Sequence, residues 1–244
     1  MPGPVSGEDI AENVRALRTR LDAAAQRAHR EPSSIRLVAV TKTKPAWMVK
    51  AARDAGCTVF GENYVQEALA KQDELPGLDA EWHLVGALQS NKAKHVVGRF
   101  ALLHALDSAK LAAELDRRAA AKDVERVDVL VEVNLAGEAT KAGVEPGAVA
   151  ALLEETRSLA RVRVRGLMAM PPPEDGEANR PRFRALASLA AELRASGHLA
   201  PDALELSMGT TSDFEAAVEE GATLVRVGTA LFGPRAVKTR QEAG

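Results

Sequence analysis

Short apolar runs, each closed by glycine, proline or a polar residue, recur along this chain, and amphipathic stretches with helical spacing lie between them. The run at 35–41 is rich in β-branched residues, leads into Lys42-Thr43-Lys44 and is stopped by Pro45, the pattern of a buried strand. Similar runs predict strands over 57–60, 82–85, 102–106, 127–133, 162–170, 204–207 and 223–227. Helical spacing joins Ile10, Val14, Leu17 and Leu21 within 8–30, and predicts further helices over 46–55, 89–97, 109–122, 146–160, 182–196 and 213–220. Another helix carries Val65, Ala68 and Leu69 and breaks at Pro76-Gly77. Gly56 suits a helix C-cap, and Asp107 or Ser108 an N-cap. PPPEDGEANRP at 171–181 reads as a long exposed loop.

Strand and helix alternate eight times, which predicts a parallel sheet and, at 244 residues, a closed (β/α)8 TIM barrel; an open doubly wound sheet is the alternative. No linker or composition shift divides the chain. It reads as one domain over 1–244, with an N-terminal helix in 1–34 leading into a barrel at 35–235. Hydrophobic residues make up 46% and charged residues 27%, an ordinary globular balance, and aromatics at 3% leave the core to Ala, Val and Leu. A net charge of -2 gives no sign of a nucleic-acid-binding surface. Cys57 is the sole cysteine, which excludes an internal disulfide and a cysteine-rich zinc site, and the histidines show no metal spacing. The start lacks a secretory pattern and no apolar run reaches membrane-spanning length, so a cytoplasmic location is expected.

In such a barrel, residues at the carboxyl ends of strands build sites. Here those ends carry Lys42, Asn63, His83 with Gly86, Asn134, Met168, Ser207, and Arg226 with Gly228-Thr229. Lys42 shares a strand face with Val38 and Val40, where desolvation would favour the neutral, nucleophilic amine. Taken alone, the segment also fits a strand-end ammonium in water, the commoner arrangement. Gly228-Thr229 and Ser207-Met208-Gly209 lie where barrels often hold phosphate, although both glycines also suit plain tight turns. Arg226 falls between Val225 and Val227 in a strand expected to be buried. Its partner is either a carboxylate such as Glu205 or an acceptor on a ligand. His83 reads as a satisfied inner-barrel histidine.

The blocks VAVTKTKP (38–45), FGENYVQEA (60–68), EWHLVGALQSNK (81–92), EVNLAGEATKAGV (132–144), GLMAMPPP (166–173) and LSMGTTSDFEAAVEEGATLVRVGTALFG (206–233) resemble the pyridoxal phosphate homeostasis protein family. The resemblance implies a single barrel similar to the alanine racemase N-terminal domain, with pyridoxal 5′-phosphate as cofactor. It implies that Lys42 forms an internal aldimine and that Lys44 does not. It places Ser207, Gly228 and Thr229 at the phosphate, Arg226 at the pyridine nitrogen and Asn63 in the pocket lining, to which Met168 is added. A cation at the ring nitrogen makes the ring a poorer electron sink. Tyr64, the only tyrosine, has no implied catalytic role, so no catalytic residues and little or no turnover are expected. The expected role is that of a monomer holding the cofactor for homeostasis, with apoenzymes or cofactor-making enzymes as partners. Ala87 and Thr210-Thr211-Ser212 depart from the family pattern. Two other readings stay open: an amino-acid racemase, which needs a second base opposite Lys42, and a cofactor-free barrel enzyme joining Lys42 to a sugar phosphate.

Overall fold

The computed structural model describes residues 5–135 and 142–234; residues 136–141 of the fourth block and the expected barrel end at 235 lie outside them. The strands are β1 (Arg36–Val40), β2 (Val59–Glu62), β3 (Glu81–Leu84), β4 (Leu102–Leu106), β5 (Val127–Glu132), β6 (Val162–Met168), β7 (Glu205–Ser207) and β8 (Leu224–Val227). All pair in parallel, in chain order, and β1 closes the barrel on β8. Val38 lies opposite Val59 on one side and Arg226 on the other. The doubly wound alternative is thereby overturned.

The helices are α1 (Gly7–Arg27), α2 (Ala46–Asp54), α3 (Val65–Glu74), α4 (Ala93–Val96), α5 (Ala109–Ala121), α6 (Val149–Thr156), α7 (Gly176–Ala195), α8 (Phe214–Glu219) and α9 (Thr229–Phe232). α9 is a single turn, too short to cover its sector of the barrel. α1 fills the gap, packing between α8 and α2 and against α9. Its predicted stripe of Ile10, Val14, Leu17 and Leu21 is buried, and each such side chain contributes about 1.5–3 kcal/mol when fully withdrawn from water. The N-terminal helix is thus part of the barrel's outer ring.

Inside the barrel, Val38, Val59, Val85, Leu102, Ala105, Leu130, Met168 and Leu224 form a small apolar layer distinct from the larger core between strands and helices. Polar residues lie on both sides of that layer.

Two expected elements differ. The helix expected over 89–97 is a 3-10 turn at Ser90–Lys92 followed by the short α4. The loop expected at 171–181 is largely helix, since α7 starts at Gly176 and contains Pro181. Asp175 caps it by accepting from the Ala178 N–H at 2.9 Å. Pro181 sits only a turn inside, where its missing N–H costs one helical bond. Tertiary ties offset that loss: Arg180 reaches Glu177, Glu219 and Glu220 at 2.6, 2.8 and 3.2 Å, and Asn179 donates to Asp213 at 2.9 Å.

Candidate functional site

Lys42 follows β1 in a turn that is pinned on both sides. The Thr41 N–H donates to Gly61 O at 3.0 Å, and the Lys44 N–H returns to Thr41 O at 3.0 Å. Buried Lys71 donates to the same Thr41 carbonyl at 2.6 Å, to Glu62 Oε1 at 2.6 Å and to Glu67 Oε1 at 2.7 Å. Glu67 also accepts from the Thr43 N–H. Thr43 has φ +63°, a left-handed backbone that a β-branched residue adopts only when its surroundings hold it there. Glu62 is fully buried, and burial raises its carboxyl pKa against the opposing pull of Lys71 and Thr41. Lys44 points elsewhere, donating to the carbonyls of Phe232, Gly233 and Pro234 at 2.8, 3.1 and 3.0 Å. Lys42 itself is half-buried.

Arg226 occupies the neighbouring strand, on the inner face that the register shares with Val38. The carboxylate considered from sequence is not its partner: Glu205 pairs instead with Arg36 at 2.7 Å, at the amino-terminal end of the barrel. Arg226 donates to Ser207 Oγ and, at 2.9 Å, to the Ala169 carbonyl, and lies 3.6 Å from Met170 Sδ. Its Nε is buried and has no hydrogen-bond partner among the described residues. Burial lowers its pKa to about 10, with Glu132 and Asp213 pulling the other way. Glu132, half-buried, is raised by its own burial.

The two glycine-bearing turns stand side by side above this strand. The Arg226 N–H donates to Gly209 O at 3.0 Å, and the Ala230 N–H reaches Thr211 Oγ1 at 3.4 Å. Gly209 has φ +89°, and a Cβ there would lie 2.6 Å from Ala217 Cβ, so α8 can approach only a glycine. Thr229 is exposed and opens α9 directly after Gly228. Asn63 directly follows β2 and lies against Gly86, where a Cβ would meet Asn63 O at 2.6 Å. Met168 lies in the inner apolar layer.

The sequence placed Lys42, Arg226, Gly228 and Thr229 at one mouth, and the structure brings them together there. Ser207 differs. Its hydroxyl is buried and engaged between Arg226 and His104 Nδ1, the latter at 2.9 Å, instead of standing free in the turn. Sequence reasoning missed Lys71, Glu62 and Glu67 around the lysine turn, and Glu132 and Met170 around Arg226. A weak signal existed, since Lys71 lies on the apolar stripe of α3 with Val65 and Ala68. His104, in the middle of an apolar strand, was another.

The alanine racemase N-terminal domain model matches residues 10–236. The pyridoxal phosphate homeostasis protein of Aquifex aeolicus is 44% identical over 228 residues, covering 93% of this chain and 99% of that one. The Pseudomonas aeruginosa protein of the same name is also 44% identical, over 227 residues, covering 93% and 96%. This chain belongs to the pyridoxal phosphate homeostasis protein family. A solved relative, PipY of Synechococcus elongatus with PLP bound, is 40% identical with a TM-score of 0.80, covering 92% of this chain and all of that one. Alanine racemase from Corynebacterium glutamicum shares the fold at 17% identity and TM-score 0.72, and this chain spans 64% of it.

As a member of the homeostasis protein family, the chain presents its lysine turn, its buried arginine and its paired glycine turns at the carboxyl-terminal mouth of the barrel. The opposite mouth holds a separate charged cavity of about 750 Å³, lined among others by Arg36, Glu81, His83, Asp128 and Glu205. Several of its charges pair with one another, as in Arg36 with Glu81 and Glu205 and Arg126 with Asp128. Among the described residues, no helix is long and apolar enough to cross a membrane.

Proposed function

We propose that this protein binds pyridoxal 5′-phosphate at the carboxyl-terminal mouth, on Lys42, and serves the homeostasis of that cofactor with little or no turnover. When bound, pyridoxal 5′-phosphate supplies an aldehyde that condenses reversibly with a primary amine. Lys42 presents that amine from a turn whose backbone Lys71 and Glu67 hold. The observation that carries the reading is the partnerless, buried Nε of Arg226, a donor that needs an acceptor such as a pyridine nitrogen. A guanidinium beside that nitrogen opposes its protonation and leaves the ring a weak electron sink, which suits holding over catalysis. Gly209–Ser212 and Gly228–Thr229 receive the phosphate. Asn63 lines the pocket, and Met168 closes it from the apolar layer. Ser207 serves it at one remove, by accepting from Arg226.

The relatives' printed names and the PLP in the PipY structure support this reading. Tyr64, the only tyrosine, is 57% exposed ahead of α3. We place the protein in the cytoplasm as a monomer that exchanges cofactor with dependent apoenzymes or with the enzymes that make it.

The test is borohydride reduction after incubation with pyridoxal 5′-phosphate, followed by peptide mass mapping and by an amino-acid turnover assay in heavy water. A pyridoxyl group confined to Lys42, with no exchange of amino-acid α-protons, is the expected result. Label scattered over surface lysines overturns the site, and efficient exchange overturns the claim of little or no turnover.

A further inference from the structure

Among the described residues, a file of polar side chains crosses the barrel interior from mouth to mouth. Arg226 donates to Ser207 Oγ; Ser207 Oγ lies 2.9 Å from His104 Nδ1; His104 Nε2 lies 3.0 Å from His83 Nδ1; and His83 Nε2 lies 3.4 Å from Glu81 Oε2. Ser207, His104 and His83 are all buried, whereas the Glu81 side chain is 53% exposed at the far mouth.

The chemistry of the groups sets the direction of the file. A guanidinium can only donate, so Ser207 accepts from Arg226. The buried hydroxyl then needs an acceptor of its own, and His104 Nδ1 is the one within reach. A neutral His104 accepting at Nδ1 carries its proton on Nε2 and donates to His83 Nδ1. His83 in turn carries its proton on Nε2 and donates to Glu81. Ser207, His104 and His83 are each used once as donor and once as acceptor between the donor Arg226 and the acceptor Glu81, and both imidazoles must be neutral. Burial favours that state in each ring. The charged groups facing the pair agree: Arg226 and Arg36 repel a proton from His104, and Arg36 repels one from His83 against the pull of Glu81 and Glu205.

We propose that His104 is a positioning residue for the cofactor pocket, acting through Ser207 on Arg226 and anchored through His83 to Glu81. The file takes up one NH2 of the guanidinium and Ala169 O the other, so the plane is fixed and Nε is left to the pocket. The inference rests on the reading above that Arg226 meets the ring nitrogen, and adds what holds it there.

The test uses the full chain, with histidines ¹⁵N-labelled, loaded with pyridoxal 5′-phosphate carrying ¹⁵N in its ring. In the unaltered protein at neutral pH, His104 should be the neutral tautomer protonated at Nε2; a proton on Nδ1 overturns the proposal whether or not any variant folds. His104→Phe should shift the ring-nitrogen resonance and release cofactor about five- to tenfold faster, the size of one hydrogen bond. His104→Asn, whose amide oxygen sits near the Nδ1 position, should restore both. A merely structural histidine would leave the ring-nitrogen resonance unmoved in every folded variant, which overturns the inference alone if Lys42 still takes the borohydride label. Failure of the unaltered protein to label at Lys42 overturns the underlying reading as well.

Discussion

Replacing Lys71 with Met tests whether the buried cluster beside β1 holds the lysine turn. Lys71 is 5% exposed, and its amine makes three contacts of 2.6–2.7 Å, to Thr41 O, Glu62 Oε1 and Glu67 Oε1. The variant leaves the Glu62 carboxylate fully buried with Thr41 Oγ1 as its one remaining donor, while Oε2 already lacks a partner. Breaking one side of a buried pair costs about 3–5 kcal/mol. That is a large part of the roughly 5–15 kcal/mol available to a domain, so the variant should fold with a much lower urea midpoint. Adding Glu62→Gln replaces the stranded charge with a neutral amide and should recover about 2 kcal/mol, because an unpaired neutral group costs less than an unpaired ion. The loss in the single variant should also shrink as pH falls, since burial already raises the Glu62 pKa and removal of Lys71 takes away an opposing influence. At the site, Thr43 loses the Glu67–Lys71 clamp on a left-handed backbone that costs about 1–2 kcal/mol. Borohydride labelling at Lys42 should slow accordingly. A loss under about 1 kcal/mol, or a double variant no more stable than the single one, refutes the argument.

Acidification should destabilise the unliganded protein through its histidine pair. His83 and His104 are held below their usual value of 6.5 by burial, so the unfolded chain takes up protons first as pH drops. Their contribution is complete above the unfolded value and is lost as pH falls toward the folded one, at up to about 1.4 kcal/mol per pH unit for each ring. Glu62 and Glu132, both raised by burial, work in the opposite sense as pH falls through their folded-state values. Urea midpoints measured from pH 7.5 to 5.5 should therefore fall, and His104→Asn should flatten the slope; a midpoint that holds steady rejects the buried neutral pair. Gly209→Ala should cost about 1–3 kcal/mol, because its Cβ would lie 3.0 Å from the Phe214 backbone at a φ of +89°. Thermal melts of that variant matching the parent would show that the turn can relax.

Much of the barrel is legible along the chain. Apolar periodicity is a local property, and it marked the eight strands to within a few residues, the stripe of α1 and the β1 end from which Lys42 projects. The glycines beside Arg226 were legible for the same reason, since their turn chemistry is written in adjacent residues. α7 was misread over its first turn because the ties of Arg180 and Asn179 to α8 and its cap outweigh a Gly and a Pro.

What the chain order alone determined was which residues alternate, where strands stop and which polar groups stand at their ends. Only the closed barrel decided who meets whom. His104 and Ser207 lie 103 positions apart, and Lys44 and Phe232 188 apart, yet each pair is in hydrogen-bond contact. The choice of Arg36 over Arg226 as partner of Glu205 depends on which end of the barrel each side chain enters. Strand pattern follows from short-range sterics and burial, whereas a polar group's partner is set by the register at which β1 meets β8, and by the requirement that whatever closure buries must be hydrogen-bonded.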